Sequence, residues 1–337
     1  MKKSIALLVL LTLSVVYFSG CGESAPEVNK MAIMESAKRV FAQLPKSMPG
    51  SENDIPEKIE LGKKLFFETK LSKTNTQSCN TCHSIDPGKA GVDNLATSPG
   101  AKTGTIGTRN SPTVLNAGFQ FAQFWDGRAK DLKEQALGPI LNPLEMGMDN
   151  PKEVENKLAS VPEYKEMFAK AFPDNPKISW DNLGEAIAAF ERTLITSDRF
   201  DNFLAGNPKA LSDEEALGLE IFINKGCTTC HTGSLLGGNM YQKMGLYKPY
   251  VDTEDLGRYA ITKNEAEKYF FKVPTLRNVE LTAPYFHDGL AKTLEDAVTQ
   301  MSDMQLATPL TPEEIKKVVT FLGSLTDKEL AKANRSK

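Results

Sequence analysis

Two stretches of the chain hold two thiols and an imidazole at one short spacing: Cys79-Asn80-Thr81-Cys82-His83 and Cys227-Thr228-Thr229-Cys230-His231. Cysteines three positions apart lie about one helical turn apart. That separation meets the two vinyl groups of a single macrocycle, and the histidine that follows binds its iron, so the spacing is that of c-type haem attachment. A zinc pair or a thioredoxin-like dithiol would use the same residue types. Zinc takes four ligands per site, and the only further histidine in the chain is His287. The two motifs also use every cysteine after Cys21. The chemistry these residues support is that of two covalently attached haem c groups.

The residues around the motifs repeat. Leu61-Gly62 with Leu65-Phe66 precedes the first motif, and Leu217-Gly218 with Ile221-Phe222 precedes the second. Downstream, Pro112-Thr113, Asn116, Trp125-Asp126-Gly127-Arg128-Ala129-Lys130 and Leu132 match Pro274-Thr275, Asn278, His287-Asp288-Gly289-Leu290-Ala291-Lys292 and Leu294 in unbroken register. Helical periodicity runs through Pro56–Glu68, Leu183–Thr193, Asp213–Ile223, Thr293–Met301 and Pro312–Leu325, several of them opened by Ser, Asp or Thr-Pro. Strand-like alternation is weak throughout. The expected fold is all-α, with two cytochrome c-like domains related by internal duplication and one covalent haem in each. Residues 35–197 form the first and 198–337 the second, with the join near Ser197–Pro208.

A duplication makes its differences informative. Met301 falls opposite Pro139, and a thioether after the last helix of such a domain is the usual sixth iron ligand, raising the potential. Met301 is the candidate ligand of the second haem; Met304 is its nearest rival and otherwise core filler. The first half has no methionine at the matching place, offering Glu145 shortly beyond, with Met146 and Met148. Its haem has no histidine for the far side unless His287 reaches across. One iron closed for electrons and one open for chemistry is the expected asymmetry.

With 337 residues, 40% hydrophobic and 25% charged, the chain can bury two cores. A net charge of −3 with no basic stripe gives nucleic acid no footprint. Lys2 and Lys3 precede an apolar run from Ile5 to Phe18, short of the ~20 residues of a spanning helix. Ser19-Gly20-Cys21 follows, so residues 1–21 read as a secretory signal and 22–34 as a linker. Cys21 also resembles a lipoprotein cleavage position, apart from Phe18 where leucine is usual. Lipid anchoring and plain cleavage nearby both stay open, and either places the mature protein outside the cytoplasm, in the periplasm.

On Arg109-Asn110-Ser111-Pro112-Thr113-Val114-Leu115-Asn116, Gln123-Phe124-Trp125-Asp126-Gly127-Arg128, Pro284-Tyr285-Phe286-His287 and the two haem motifs in order, nearly all of the mature chain resembles the bacterial diheme cytochrome c peroxidases. The resemblance implies that the domain of His83 is peroxidatic and that of His231 and Met301 transfers electrons. Hydrogen peroxide would be reduced to water with electrons from a small periplasmic donor, a c-type cytochrome or cupredoxin. Glu145 is similar in position to the family's distal carboxylate, Gln135 to its distal amide and Trp125 to the aromatic between the haems. Members also bind calcium between the domains, which implies Asn110 with the carbonyls of Thr282 and Pro284, oxygen ligands that suit the ion. Members are commonly homodimers.

One departure stands out. Members that rest in a locked state carry a distal histidine in the loop after the first motif, and here that loop, Thr97-Ser98-Pro99-Gly100-Ala101-Lys102-Thr103-Gly104, has none. The resting first haem is therefore expected to be open, water-bound or weakly ligated, for instance by Lys102, and to need little reductive activation. A non-enzymatic carrier, with Met146 or Met148 closing the first iron, is the competing reading. The related enzyme that matures methylamine oxidase has tyrosine where Met301 stands.

Overall fold

The computed structural model describes residues 28–335. The expected leader, Cys21 and the first part of the expected linker lie outside the described residues. From Lys30 the chain is already helical, as α1 (Lys30–Lys38), capped by the Asn29 side chain, which accepts from the Ala32 N–H. The spacing of Ile33, Met34, Ala37 and Phe41 gives this segment an apolar face, and that face packs with Phe200, Phe203 and Phe222 of the second half. The first described helix thus packs against the half that the sequence reaches last.

The first half contains α2 (Pro56–Phe66), α3 (Cys79–Cys82), α4 (Leu132–Leu141), α5 (Pro151–Ala159), α6 (Pro162–Ala171) and α7 (Trp180–Glu191). The short α8 (Arg199–Leu204) leads to α9 (Asp213–Asn224), α10 (Tyr259–Thr262), α11 (Leu294–Gln305), α12 (Pro312–Gly323) and α13 (Lys328–Arg335). Proline at the first turn opens α2, α5, α6 and α12, where its missing N–H has no intrahelical partner to lose. Asp131, Ser179, Ser212 and Thr293 cap α4, α7, α9 and α11 through their side-chain oxygens. The sheet is one antiparallel pair, β1 (Tyr241–Lys243) and β2 (Phe270–Lys272), in register Tyr241↔Lys272. Strands of three residues are too short to show alternation in sequence.

In each half the first long helix crosses the last, α2 on α7 and α9 on α12. Gly62 and Gly218 sit at these crossings. A Cβ at Gly62 would overlap the Ala186 carbonyl, and one at Gly218 the Lys317 carbonyl. Beside the glycines, Phe66 meets Phe190 with ring centres 5.3 Å apart, and Phe222 meets Phe321 at 5.5 Å. The repeat therefore extends to atomic contacts.

The Pro-Thr-x-x-Asn turns now acquire a purpose. Asn116 and Asn278 are both left-handed, with φ of 62°. The Asn116 N–H donates to the Leu194 carbonyl and its Oδ1 accepts from the Thr196 N–H. The Asn278 N–H donates to the Leu325 carbonyl and its Oδ1 accepts from the Asp327 N–H. Each turn thus pins a haem-bearing loop to the exit of its half's last long helix. Between the halves, the Lys272 N–H donates to the Trp125 carbonyl and the Asn110 N–H to the His287 carbonyl, both at 2.7 Å.

Gly62→Ala and Gly218→Ala each force the helices apart, and overpacking of this kind costs roughly 1–3 kcal/mol or more. Denaturant unfolding of the haem-loaded protein is expected to show losses of that size for both, against little change for Gly323→Ala, where an added Cβ on α12 makes only ordinary contacts.

Candidate functional site

His83 follows α3, whose start is held by a reciprocal cap between Ser78 and Thr81. Its Nδ1 lies 2.9 Å from the Pro112 carbonyl, and the Nδ1 of His231 lies 2.9 Å from that of Leu236. Facing a carbonyl, each Nδ1 carries the ring proton and leaves Nε2 for a metal. Burial holds both imidazoles below their ordinary pKa, in the neutral ligand form. Thr113 donates to the Ala90 carbonyl at 2.6 Å and Thr275 to that of Leu235 at 2.9 Å, fixing the loops that carry the acceptors.

A cavity of about 710 Å³ opens beside His83, and Trp125, Gln135, Pro139, Glu145 and Glu191 line it as well. Its size is in the range of cofactor sites. With two cysteines one turn away on α3 and a neutral imidazole at the wall, the residues fit a covalently held haem. Gln135 and Pro139 come from α4 and Glu145 from the turn that follows. Asn142 donates to Glu145 Oε1 at 2.7 Å. Burial raises the Glu145 carboxyl above the usual carboxylate range, and Arg128 and the Asn142 bond pull it back in part. Arg128 lies over the Phe124 ring at 3.5 Å and pairs with Asp126. Such a carboxyl holds its proton more tightly than a solvated one.

The loop that carries no histidine is closed by its own backbone. The Gly100 N–H donates to the Thr105 carbonyl and the Gly107 N–H to that of Ser98. The Ala101 N–H donates to the Glu145 carbonyl at 2.7 Å. Ala101 is buried there, and the Lys102 chain passes over Gly147. Met146 and Met148 are packed in the core with Leu61, Leu65 and Ile140 and are not among the cavity's lining residues.

His287 is held on the second-half side. Its ring stacks on Phe271 at 4.2 Å and its Nε2 lies 3.3 Å from Asp252 Oδ2. Trp125 stands between, 6.4 Å from the His287 ring, with its Nε1 donating to the Asn110 carbonyl at 2.8 Å. Met301 lies inside α11, which runs on past the Thr293–Met301 period to Gln305, and is half-buried, whereas Met304 is buried. Among the calcium candidates, Asn110 donates its amide to the Leu95 carbonyl and Thr282 its hydroxyl to that of Val279. The carbonyls flanking Thr282 are bridged by Asn94 Nδ2, a contact without a sequence signal. Sequence reasoning also passed over Glu191 and Arg128. The repeat could have flagged the first, since Glu191 falls opposite Leu322 once Phe190 is set against Phe321.

The profile of the Di-haem cytochrome c peroxidase family matches residues 56–209, and that of Cytochrome c matches residues 215–326. Cytochrome c551 peroxidase of Pseudomonas aeruginosa is 45% identical over 91% of this chain and 90% of its own length. The protein of that name from Nitrosomonas europaea is 49% identical over 79% of each. Among solved structures, a MauG-like protein associated with microbial copper homeostasis superimposes with a TM-score of 0.74 at 29% identity, covering 85% of this chain and 94% of the other.

Asn142→Ala removes a hydrogen bond that favours the ionised Glu145. The Glu145 pKa is expected to rise further, read as an upward shift of its C=O infrared titration; an unchanged midpoint would show that Asn142 does not tune this group.

Proposed function

Since the chain belongs to the di-haem cytochrome c peroxidase family, as an enzyme with two haem c groups, we propose that hydrogen peroxide is reduced in the cavity of His83 with electrons that enter at the His231 side and pass Trp125. The closed loop at Ala101 carries the reading: it supports one haem with a free face beside Glu145. Bound on His83, a haem iron would supply the electrophile and the electrons for cleavage of the O–O bond. Ionised Glu145 accepts the proton that one peroxide oxygen loses and returns it to the other as that bond breaks, so that water can leave. Gln135, two turns of α4 before the Glu145 segment, orients the peroxide through its amide. Two electrons and two protons convert one peroxide into two waters.

On the other side, Met301 would supply a thioether to an iron bound at His231, which would raise its potential. Trp125 meets the second half through its own carbonyl, which accepts from the Lys272 N–H. Asn110, Thr282 and Pro284 would hold a calcium ion at this seam through oxygen ligands. The donor is a small c-type cytochrome or cupredoxin, and the protein works in the periplasm as a homodimer with residues 35–197 peroxidatic and 198–337 receiving electrons. Among the described residues no helix is long and apolar enough to cross a membrane; Cys21 would supply any lipid anchor.

Glu145→Gln keeps the shape and removes the base. Its kcat/KM for peroxide is expected to fall about 10²–10⁴-fold, and the acidic limb of the pH profile, which lies above the ordinary carboxylate range in the parent enzyme, is expected to vanish. Retention of both would remove Glu145 from the chemistry. Low-temperature electron paramagnetic resonance of the fully oxidised protein is expected to lack a bis-imidazole signal, and turnover should begin without prior reduction. A bis-imidazole first haem sinks the reading.

A further inference from the structure

Glu191 closes the last turn of α7 and is 4% exposed. Its Oε2 has no hydrogen-bond partner, and the side chain lines the cavity of His83, close to Cys79. The duplication supplies a comparison inside one molecule. Gly62, Ala186 and Phe190 correspond to Gly218, Lys317 and Phe321 at the helix crossings, and the next residue is Glu191 in one half and Leu322 in the other. Leu322 is buried at 3%, so an apolar side chain meets the packing demand there. A carboxyl without a partner is a cost at the same place, and only the first half carries it.

We propose that Glu191 is the proton-binding group of the first haem: its carboxyl binds a proton when that haem is reduced and releases it when that haem is oxidised. The step forms one O–H bond with a solvent proton, and the electron comes from the one-electron protein donor. The charge of a buried cavity is then unchanged across the redox cycle. In a low-dielectric site an added electron favours the protonated carboxyl, and by linkage the proton favours the reduced haem.

The surroundings leave this role to Glu191. Arg192 adjoins it, but its guanidinium is bound to Asp54 and Glu185. From α2, Lys58 leans on Asp54; from α4, Lys133 pairs with Asp181 and Glu185; from α5, Glu155 accepts from the Trp180 N–H. Of the other charged groups that line the cavity, Arg109 pairs with Asp126 and Asp255, Arg128 with Asp126, and Asp252 with His287, leaving Glu145 and Glu254. Burial pushes the Glu191 carboxyl up to about 8, with Arg192 pulling the other way, so modest changes in cavity charge move it across neutrality.

The inference needs a haem on His83 and holds whichever haem meets peroxide. Its test is a potentiometric titration of the two-haem protein at several pH values around neutrality. The first haem's potential is expected to fall with rising pH at a slope approaching about 59 mV per pH unit, a tenfold proton change per electron. Glu191→Gln and Glu191→Leu are expected to flatten it, while the second haem's slope and that of the Glu145→Gln variant stay as they were. A flat parent slope, an unchanged slope in Glu191→Gln, or its loss in Glu145→Gln instead overturns the assignment. Should the Glu191 variants fail to fold, the reduced-minus-oxidised infrared spectrum of the parent decides: a protonated-carboxyl C=O band gained on reduction supports it, and no such band rejects it.

Discussion

Everything in this molecule depends on how closely two helices can approach in each half. At Gly62 and Gly218 a helix backbone lies directly against the carbonyl of its partner, a distance that any side chain would prevent. This contact fixes α7 relative to α2, and α12 relative to α9. The exits of α7 and α12 then receive the Asn116 and Asn278 turns through backbone hydrogen bonds. Those turns continue into the loops whose carbonyls orient His83 and reach the Asp-Gly turns before α4 and α11. A shift at either glycine would move the imidazole and its cavity together, because they hang from the same crossing.

The same frame, used twice, carries different chemistry through a few substitutions. Pro139 lines the first cavity, and Met301 holds the matching place in α11. Glu191 faces the first cavity where the second half has Leu322. Trp125 and His287 share a repeat position and meet at the seam as rings 6.4 Å apart. The cavity of the first half is acid-lined, whereas Leu322, at the place of Glu191, is buried in an apolar cluster.

The seam between the halves is polar and ion-paired. Arg109 binds Asp126 of its own half and Asp255 of the other. Lys272, buried on β2, donates to Gln120 across the seam, and burial holds its ammonium down to about 8. Removing one partner of such buried groups is far costlier than the pair is favourable, so the halves are held in one relative position.

The haem motifs, the duplication and the all-α class were legible in the sequence because each rests on residues at fixed local spacing: a thiol pair one turn apart, helical periods, and a turn residue at the same offset in both copies. Gln135, Trp125 and Glu145 could be named from the resemblance, and the structure gathers them with His83 around one cavity. Other features had no local signal. The seating of α1 on the second half joins residues more than 150 positions apart, the closure of the 97–104 loop depends on a distant carbonyl at Glu145, and the orphaned Oε2 of Glu191 is visible only when every neighbour is in place. Spacing along the chain determines which groups can bind a haem; the balance of burial and hydrogen bonding around them, which sets each group's proton affinity, arises only when distant segments pack.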